Sequence, residues 1–417
     1  MSEQATSGNA SAANREVVDR IAAARPILVG IRRAAEIVPS LGDLEFLHAG
    51  PPLEGWHEAC GALRGAIAGT LVHWRSAADL EEAFAMAEAG TVRLGSANEK
   101  CVLGTFGGVI ARNTPLLVVE DRTTGKLAGA AINEGRGSAL RYGSTSADTL
   151  ERLRYLETEF QQILDRAIQL RGGIDVAAIV EQALHMGDDG HSRQKAASSL
   201  FLSTVAEPMV EAGFSSRECA KALRFLATND FFFLPIAIAS AKVALSAGEG
   251  VGRSTVVTCM ATNGARFGIQ ISGAAGKWFT GDVPELHGKY FSSYSKQDAG
   301  PMIGDSVIAE TLGLGAFAMA GAPALAPYVG GSYEEATRMA VEMYRITVSE
   351  HPRYRIPALG YKGTPLGIDS ALVAETGIAP IFNSGISHRD AGVGQIGAGF
   401  GRAPLRCFHD ALAFLRQ

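Results

Sequence analysis

Glycine sets the terms for this backbone. It makes up 49 of 417 residues, about 12% where roughly 7% is ordinary. The glycines follow no collagen-like repeat. They gather between Leu41 and Gly143 and between Gly248 and Gly401, and thin out in the stretch between. Glycine adopts positive φ at no steric cost and lets backbone come close to backbone or ligand. The distribution therefore predicts many tight turns and close approaches in two parts of the chain rather than a low-complexity tail. The length suits roughly two to four domains.

Charge and cysteine content narrow the function classes. Apolar residues are 47% and charged residues 19%, too apolar for a disordered chain. With 38 basic and 43 acidic side chains the net charge is −5, so nucleic-acid binding is not expected. Cys60, Cys101, Cys219, Cys259 and Cys407 are odd in number and include no C-x-x-C. That argues against a disulfide framework or zinc ribbon and for a reducing, cytoplasmic setting. Residues 1–14 are small and polar, and are expected to form a disordered tail rather than a signal peptide. The uncharged run 311–333 is rich in Gly and Ala, is interrupted by Pro323 and Pro327, and lacks a flanking basic cluster. It reads as a buried segment, not a membrane span.

Periodicity divides the chain into α/β (15–146), helical (147–249) and α+β (250–417) domains. In the first, an amphipathic stretch at 15–24 stops before Pro26, and helical residues at 77–89 alternate with the strand-like Leu116–Glu120. In the second, Leu150, Leu153, Leu156, Phe160, Ile163, Leu164 and Ala167 recur every three or four residues, which defines one apolar helix face. Ser215 and Glu218 form a capping box. In the third, Asn263-Gly264 between apolar alternations predicts a hairpin with a type I′ turn. Ser332 and Glu335 open a helix, and Pro404 suits the first turn of the last one.

Five segments carry candidate chemistry. Gly392–Gly397 spells G-x-G-x-x-G, but it follows polar His388-Arg389-Asp390 and the chain is nearly over, so it is not a dinucleotide site. Either the backbone N–H groups of Gly394, Gly397 and Gly399 face an anion together with Arg402, or the segment is a tight structural loop. Asp188-Asp189-Gly190 predicts a turn into a helix with His191 and Arg193 in its first turn. Positive charge there opposes the helix dipole, which points to an anionic ligand or to neighbouring carboxylates; a solvent-exposed cap is the plainer alternative. His48 sits where a strand ends, a usual place for ligands in α/β sheets, or is a structural histidine. Asn133, Glu134, Arg136 and Arg141 share one loop, and Arg holds carboxylate or phosphate bidentately; a surface salt bridge accounts equally well for either Arg. Asp305, Glu310 and Glu375 offer carboxylates for acid/base work or for Mg²⁺. HExxH, Walker A, G-x-S-x-G and zinc spacings are absent.

Taken together, HAGPP (48–52), INEG (132–135), MGD with His191 and Arg193 (186–193), TNDFFF (228–233), TNGARFGIQISG (262–273), GDSVIAET (304–311), ETGIAPIFNSGISH (375–388) and AGVGQIGAGFGRAPLRCF (391–408) resemble the domain-of-unknown-function family 1116. That family includes the large subunit of the bacterial oxamate carbamoyltransferase of allantoin (purine) catabolism. The resemblance runs from about residue 16 to 415. It implies a Rossmann-like N-terminal α/β part, a small helical part and a C-terminal α+β part. It also implies a multi-subunit enzyme with an acyl-CoA-synthetase-like partner subunit, moving a carbamoyl group between oxamate and phosphate. One departure stands out: where the oxamate pattern carries adjacent histidines before a G-x-x-G-G turn, this chain has Asn98 and Glu99, marking them as specificity positions.

The expectation is thus a carbamoyltransferase-like enzyme subunit in a homo- or hetero-oligomer, binding a small anion such as carbamoyl phosphate or oxamate. Arg193, Arg402, Arg141, His48 and Asn133 are expected to contact it. His191 and His388 are the acid/base groups, oriented by Glu134 and Asp188. The sequence names no particular cofactor, and Mg²⁺ is compatible with the carboxylates. A hydrolase or ligase for another amide, and a non-catalytic scaffold subunit, are the alternatives.

Overall fold

A computed structural model describes residues 3–417 except 136 and 328–330, with side chains described from residue 11 onward. Arg136, weighed above, lies outside the described residues. Of the tail expected at 1–14, residues 3–14 belong to the helix Glu3–Ala22. Its Asn14 is buried and donates from Nδ2 to Thr255 Oγ1 (2.9 Å) and Asp369 Oδ2 (3.0 Å), so the segment is tied to the C-terminal half of the chain.

Strand β1 (Pro26–Arg33) is followed by β2 (Glu45–His48) and β3 (Arg93–Ser96), a parallel pair joined through the helices Gly61–His73 and Leu80–Glu88. Next come β4 (Val102–Leu103), β5 (Pro115–Asp121), β6 (Leu127–Ala131) and β7 (Ile174–Asp175). With β1 they form a sheet of order β4-β6-β5-β1-β7, antiparallel except for β4–β6. The mixed α/β character is as expected. The Rossmann-like crossover, however, is confined to β2–β3, because the strands of the larger sheet reverse direction instead of crossing over helices.

The central part is helical: Ala147–Tyr155, Gln161–Leu170, Val176–His185, Lys195–Glu211, Ser216–Thr228 and Leu234–Ala247, with a π-helical turn at Leu156–Phe160. Leu153, Leu156, Phe160, Ile163, Leu164 and Ala167 of the anticipated face are buried. Phe160 meets Phe225 and Phe232 edge-on at 4.9 and 5.7 Å, arrangements aromatic rings favour. The Leu234–Ala247 helix is mostly apolar and buried on nearly every side, and it packs against β5 and β6, as a helix without a polar face must. The Ser215–Glu218 capping box forms.

In the remainder, β8 (Val257–Asn263), β9 (Phe267–Ile271), β10 (Phe279–Gly281), β11 (His287–Tyr290) and β12 (Ile303–Gly304) precede the hairpin of β13 (Thr347–Ile356) and β14 (Lys362–Ile368), then β15 (Ile381–Ser387) and β16 (Gln395–Arg402). Two sheets result, β10-β9-β8-β12 and β11-β16-β15. The β8–β9 hairpin is the one read from Asn263-Gly264, but its turn is not type I′. Only Gly264 takes positive φ (87°), and Asn263 Oδ1 instead accepts the N–H groups of Ala265 and Arg266 at 2.8 and 2.7 Å. The largest apolar core runs from Val17 to Leu366 and draws on all three sequence regions. Among the described residues no helix is long and apolar enough to cross a membrane.

From Gln395 onward the glycine-rich C-terminal segment is a strand, so Gly397 and Gly399 do not belong to an anion-facing loop. A Cβ on Gly397 would lie 2.6 Å from Lys289 O, and one on Gly399 2.7 Å from His287 O. These glycines let β11 lie against β16. The close approach predicted from composition is real, but its partner is another strand.

Candidate active site

A cleft of about 780 Å³ opens between the 137–142 turn, the loop before the Lys195–Glu211 helix and the 393–395 turn, with Arg141, Arg193 and Lys195 on its walls. At its base a smaller chamber of about 90 Å³ shares Arg141, Tyr142 and Ser192 with the cleft and adds Asn133, His191 and Ser306. The chamber is small and its lining mostly apolar, with a few convergent polar groups, which is the usual lining of a small-molecule site.

The 188–193 loop is shaped by its own carboxylates. Asp189 Oδ1 accepts the N–H groups of His191 and Arg193, both at 2.9 Å, and Oδ2 accepts from Asn383 Nδ2 at 2.8 Å. Asn383 Oδ1 in turn accepts from Ser192 Oγ at 2.6 Å. Asp188 is fully buried; it pairs with the Arg193 guanidinium and accepts Ala197 N–H at 2.8 Å, capping the following helix. Burial pushes Asp188 up to about 6, although the Ala197 and Ala196 N–H groups and Arg193 pull the other way. That helix starts at Lys195. His191 and Arg193 therefore stand in the loop before it, and the dipole conflict inferred from sequence does not arise.

His191 is buried, and its Nδ1 lies 2.9 and 3.0 Å from the two oxygens of Glu310. Burial opposes charge on both partners and pushes Glu310 up; the Glu310 carboxylate more than offsets it at His191, whose pKa is raised. Arg141 is braced by Glu134, which accepts the backbone N–H groups of Leu140 (2.7 Å) and Arg141 (3.0 Å). Arg141 Nη2 donates to Gly135 O at 3.0 Å, while buried Nη1 has no hydrogen-bond partner among the described residues. Asn133 Oδ1 accepts from Gly135 N–H and Asn229 Nδ2. Phe106 lines the chamber at φ 54°, a conformation that costs a non-glycine residue about 1–3 kcal/mol and gathers at functional sites.

Asn133, Arg141, His191, Arg193 and Gly394 thus converge on one cavity system, with Glu134 and Asp188 directly behind. The other sequence candidates lie elsewhere. Arg402 pairs with Glu342 at 2.7 Å and donates to Ala379 O, half-exposed at the end of β16. His388 accepts Asp390 N–H at 2.9 Å and meets Tyr294 edge-on, outside the cleft lining. Gly397 and Gly399 serve strand packing, as shown above. The anion-facing reading of the 384–402 segment assumed a loop wrapped around a ligand, whereas extended pairing over Gln395–Arg402 sends alternate side chains to opposite faces.

His48 is buried at the end of β2, away from the chamber, and Asn98 lies in a separate buried polar cluster with Asp305, Lys242 and Cys259. His48 Nδ1 donates to Ala49 O at 2.8 Å, and burial lowers its pKa. Asn98 lies beside Asp305 and Cys259, yet its amide makes no well-formed hydrogen bond among the described residues. Glu99 is at the surface, accepting from Trp278 Nε1 at 3.1 Å. Asp305 accepts Gly50 and Gly104 N–H at 2.8 and 3.0 Å and is pushed up to about 6 by burial. It pins two turns and does not meet Glu310. Among the described residues no three His, Cys, Asp or Glu side chains gather as a metal-holding group.

Glu310 was offered from sequence only as a carboxylate for acid/base work or Mg²⁺, without its histidine partner, and Asn383 was not read as a site residue. Glu310 had a usable signal, a carboxylate shortly before Gly313 and Gly315. Asn383 had none, since an Asn inside an apolar strand has no pattern of its own.

The comparisons fit this architecture. The profile of the oxamate carbamoyltransferase subunit AllG matches residues 92–306. The uncharacterized protein YahG of Escherichia coli (strain K12) is 39% identical over 402 residues, 96% of this chain and 85% of that protein. The AllG subunit of the same organism is 37% identical over 408 residues, 97% of each chain. A crystal structure of a conserved protein of unknown function from Enterococcus faecalis V583 superposes with a TM-score of 0.96 at 38% identity, over 99% of this chain and 98% of that one. The chain belongs to the family of the oxamate carbamoyltransferase subunit AllG.

Proposed function

We propose that this chain is a subunit of a cytoplasmic carbamoyltransferase and that the transfer takes place in the inner chamber. The observation that carries the reading is the meeting of Arg141 and a buried His191–Glu310 pair at one small cavity, with Arg193 and Lys195 on the approach. The substrate is an N-carbamoylated oxamate-like amide and the acceptor is phosphate. A phosphate oxygen adds to the carbamoyl carbon, the bond from that carbon to the amide nitrogen breaks, and the nitrogen leaves with the electron pair and takes up a proton. Carbamoyl phosphate and the free amide result. Negative charge develops on the carbamoyl oxygen, where a fixed donor such as Arg141 is worth about 3 kcal/mol. Arg193 and Lys195 hold the incoming anions, Asn133 faces the amide, and His191 supplies the proton.

The name of the AllG relative supports the transferase context and a multi-subunit assembly, and an acyl-CoA-synthetase-like chain is the proposed partner subunit. Asn98 and Glu99 prompt a second reading, a hydrolase or ligase for a different small amide; a scaffold subunit whose partner does the chemistry is a third. The test is carbamoyl phosphate formation from carbamoyl-oxamate and phosphate, with and without Mg²⁺, by the chain alone and with its complex subunits. Arg193→Ala and His191→Gln in the active assembly should each lower the rate by about 10²-fold or more. Unchanged rates in both would overturn the placement.

A further inference from the structure

The deepest part of the site is a device for holding one imidazole. We infer that Glu310 is the positioning residue for His191, fixing the ring with Nδ1–H on the carboxylate so that Nε2 is the nitrogen that exchanges a proton in the chamber. This rests on the reading of the chamber as the reaction site and adds how its acid/base group is set.

Four observations carry it. Both carboxylate oxygens of Glu310 lie within 3.0 Å of Nδ1, which leaves Nε2 as the only ring nitrogen for the chamber that His191 lines. Glu310 is itself anchored, accepting Ala316 N–H (3.0 Å) and Asn383 N–H (3.1 Å) on Oε1. The backbone of His191 is fixed by Asp189 through its N–H. The space for the pair is kept by glycine: Gly315 sits at φ 59°, and a Cβ there would fall against the Glu310 carboxylate and 3.0 Å from His191 Cβ. A buried carboxylate that orients a histidine fixes its tautomer and steadies the imidazolium that forms. The charged groups around the ring are Glu310 and Asp189, with Arg141 across the chamber. In the transfer, imidazolium Nε2–H gives its proton to the departing amide nitrogen, leaving the neutral ring protonated on Nδ1; in reverse Nε2 takes that proton back.

The experiment is long-range ¹H–¹⁵N correlation spectroscopy of the full chain labelled at histidine, recorded against pH without substrate. His191→Gln assigns the signal. The expected result is a ring that titrates at Nε2 alone and keeps Nδ1 protonated above its midpoint. Glu310→Gln should lower that midpoint and mix the tautomers, and in the active assembly should cut kcat by about 10²-fold or more while leaving KM nearly unchanged. Should Glu310→Gln fail to fold, the wild-type spectrum alone decides. A wild-type His191 protonated on Nε2 when neutral, or an unchanged midpoint in a folded Glu310→Gln protein, overturns the inference. Because these spectra need no turnover, a fixed tautomer in a protein without carbamoyl transfer would sink the proposed reaction and leave the dyad standing.

Discussion

Removing Arg193 tests how the cleft tolerates a buried carboxylate. Asp188 is fully buried and its folded-state pKa is about 6, some two units above its value in an unfolded chain, about 3.9. A group raised on folding stabilises the protein most below its unfolded pKa. That contribution is lost as pH rises towards the folded value, here between about 4 and 6, and amounts to about 3 kcal/mol. Arg193 limits the loss by pairing with the ionised form. Breaking a fully buried pair costs about 3–5 kcal/mol, but the Arg193 side chain is 29% exposed. We therefore expect Arg193→Ala to cost about 2 kcal/mol at pH 8 and well under 1 kcal/mol at pH 5, where Asp188 is already protonated. Asp188→Asn on top of it should recover most of the loss, since an amide in that place carries no charge to strand. Phosphate binding should not recover, because the cation is still missing. Urea unfolding at pH 5 and pH 8, with calorimetric titration of phosphate, reads both. An equal destabilisation at the two pH values, or a double variant no more stable than Arg193→Ala, would refute the reasoning.

Arg402→Ala should leave phosphate and oxamate binding unchanged and cost less than about 1 kcal/mol, as expected for a half-exposed ion pair; calorimetry and thermal melts check both. Gly399→Ala should cost about 1–3 kcal/mol by forcing β11 off β16, visible as lost amide protection at His287–Tyr290 in hydrogen exchange. Asn98→Leu should be neutral or stabilising by up to about 1 kcal/mol, because it removes a buried amide without well-formed partners; a clear loss of stability in urea would show that the amide is paired.

The residues legible in the sequence are those whose role is local. The Leu153–Ala167 face buries as its spacing requires, Ser215 and Glu218 cap their helix, and β8 and β9 pair across Asn263-Gly264. Asn133, Glu134 and Arg141 were found together because one loop carries all three, and Asp188, His191 and Arg193 because another does. His388 and Arg402 share a segment with the glycines, but pairing of β15 with β16 turns them away from the cleft.

The sequence by itself determined several of the elements, the family and two of the loops that build the site, because helix faces, caps and turns depend on residues only a few positions apart. The tertiary structure decided which of those groups meet. His191 and Glu310 stand 119 positions apart, Asp189 and Asn383 194, and no local pattern encodes such a pairing. The same holds for the glycines. A residue without a side chain announces that something comes close, but only the packed chain shows whether that is a strand, as at Gly399, or a buried carboxylate and its histidine, as at Gly315.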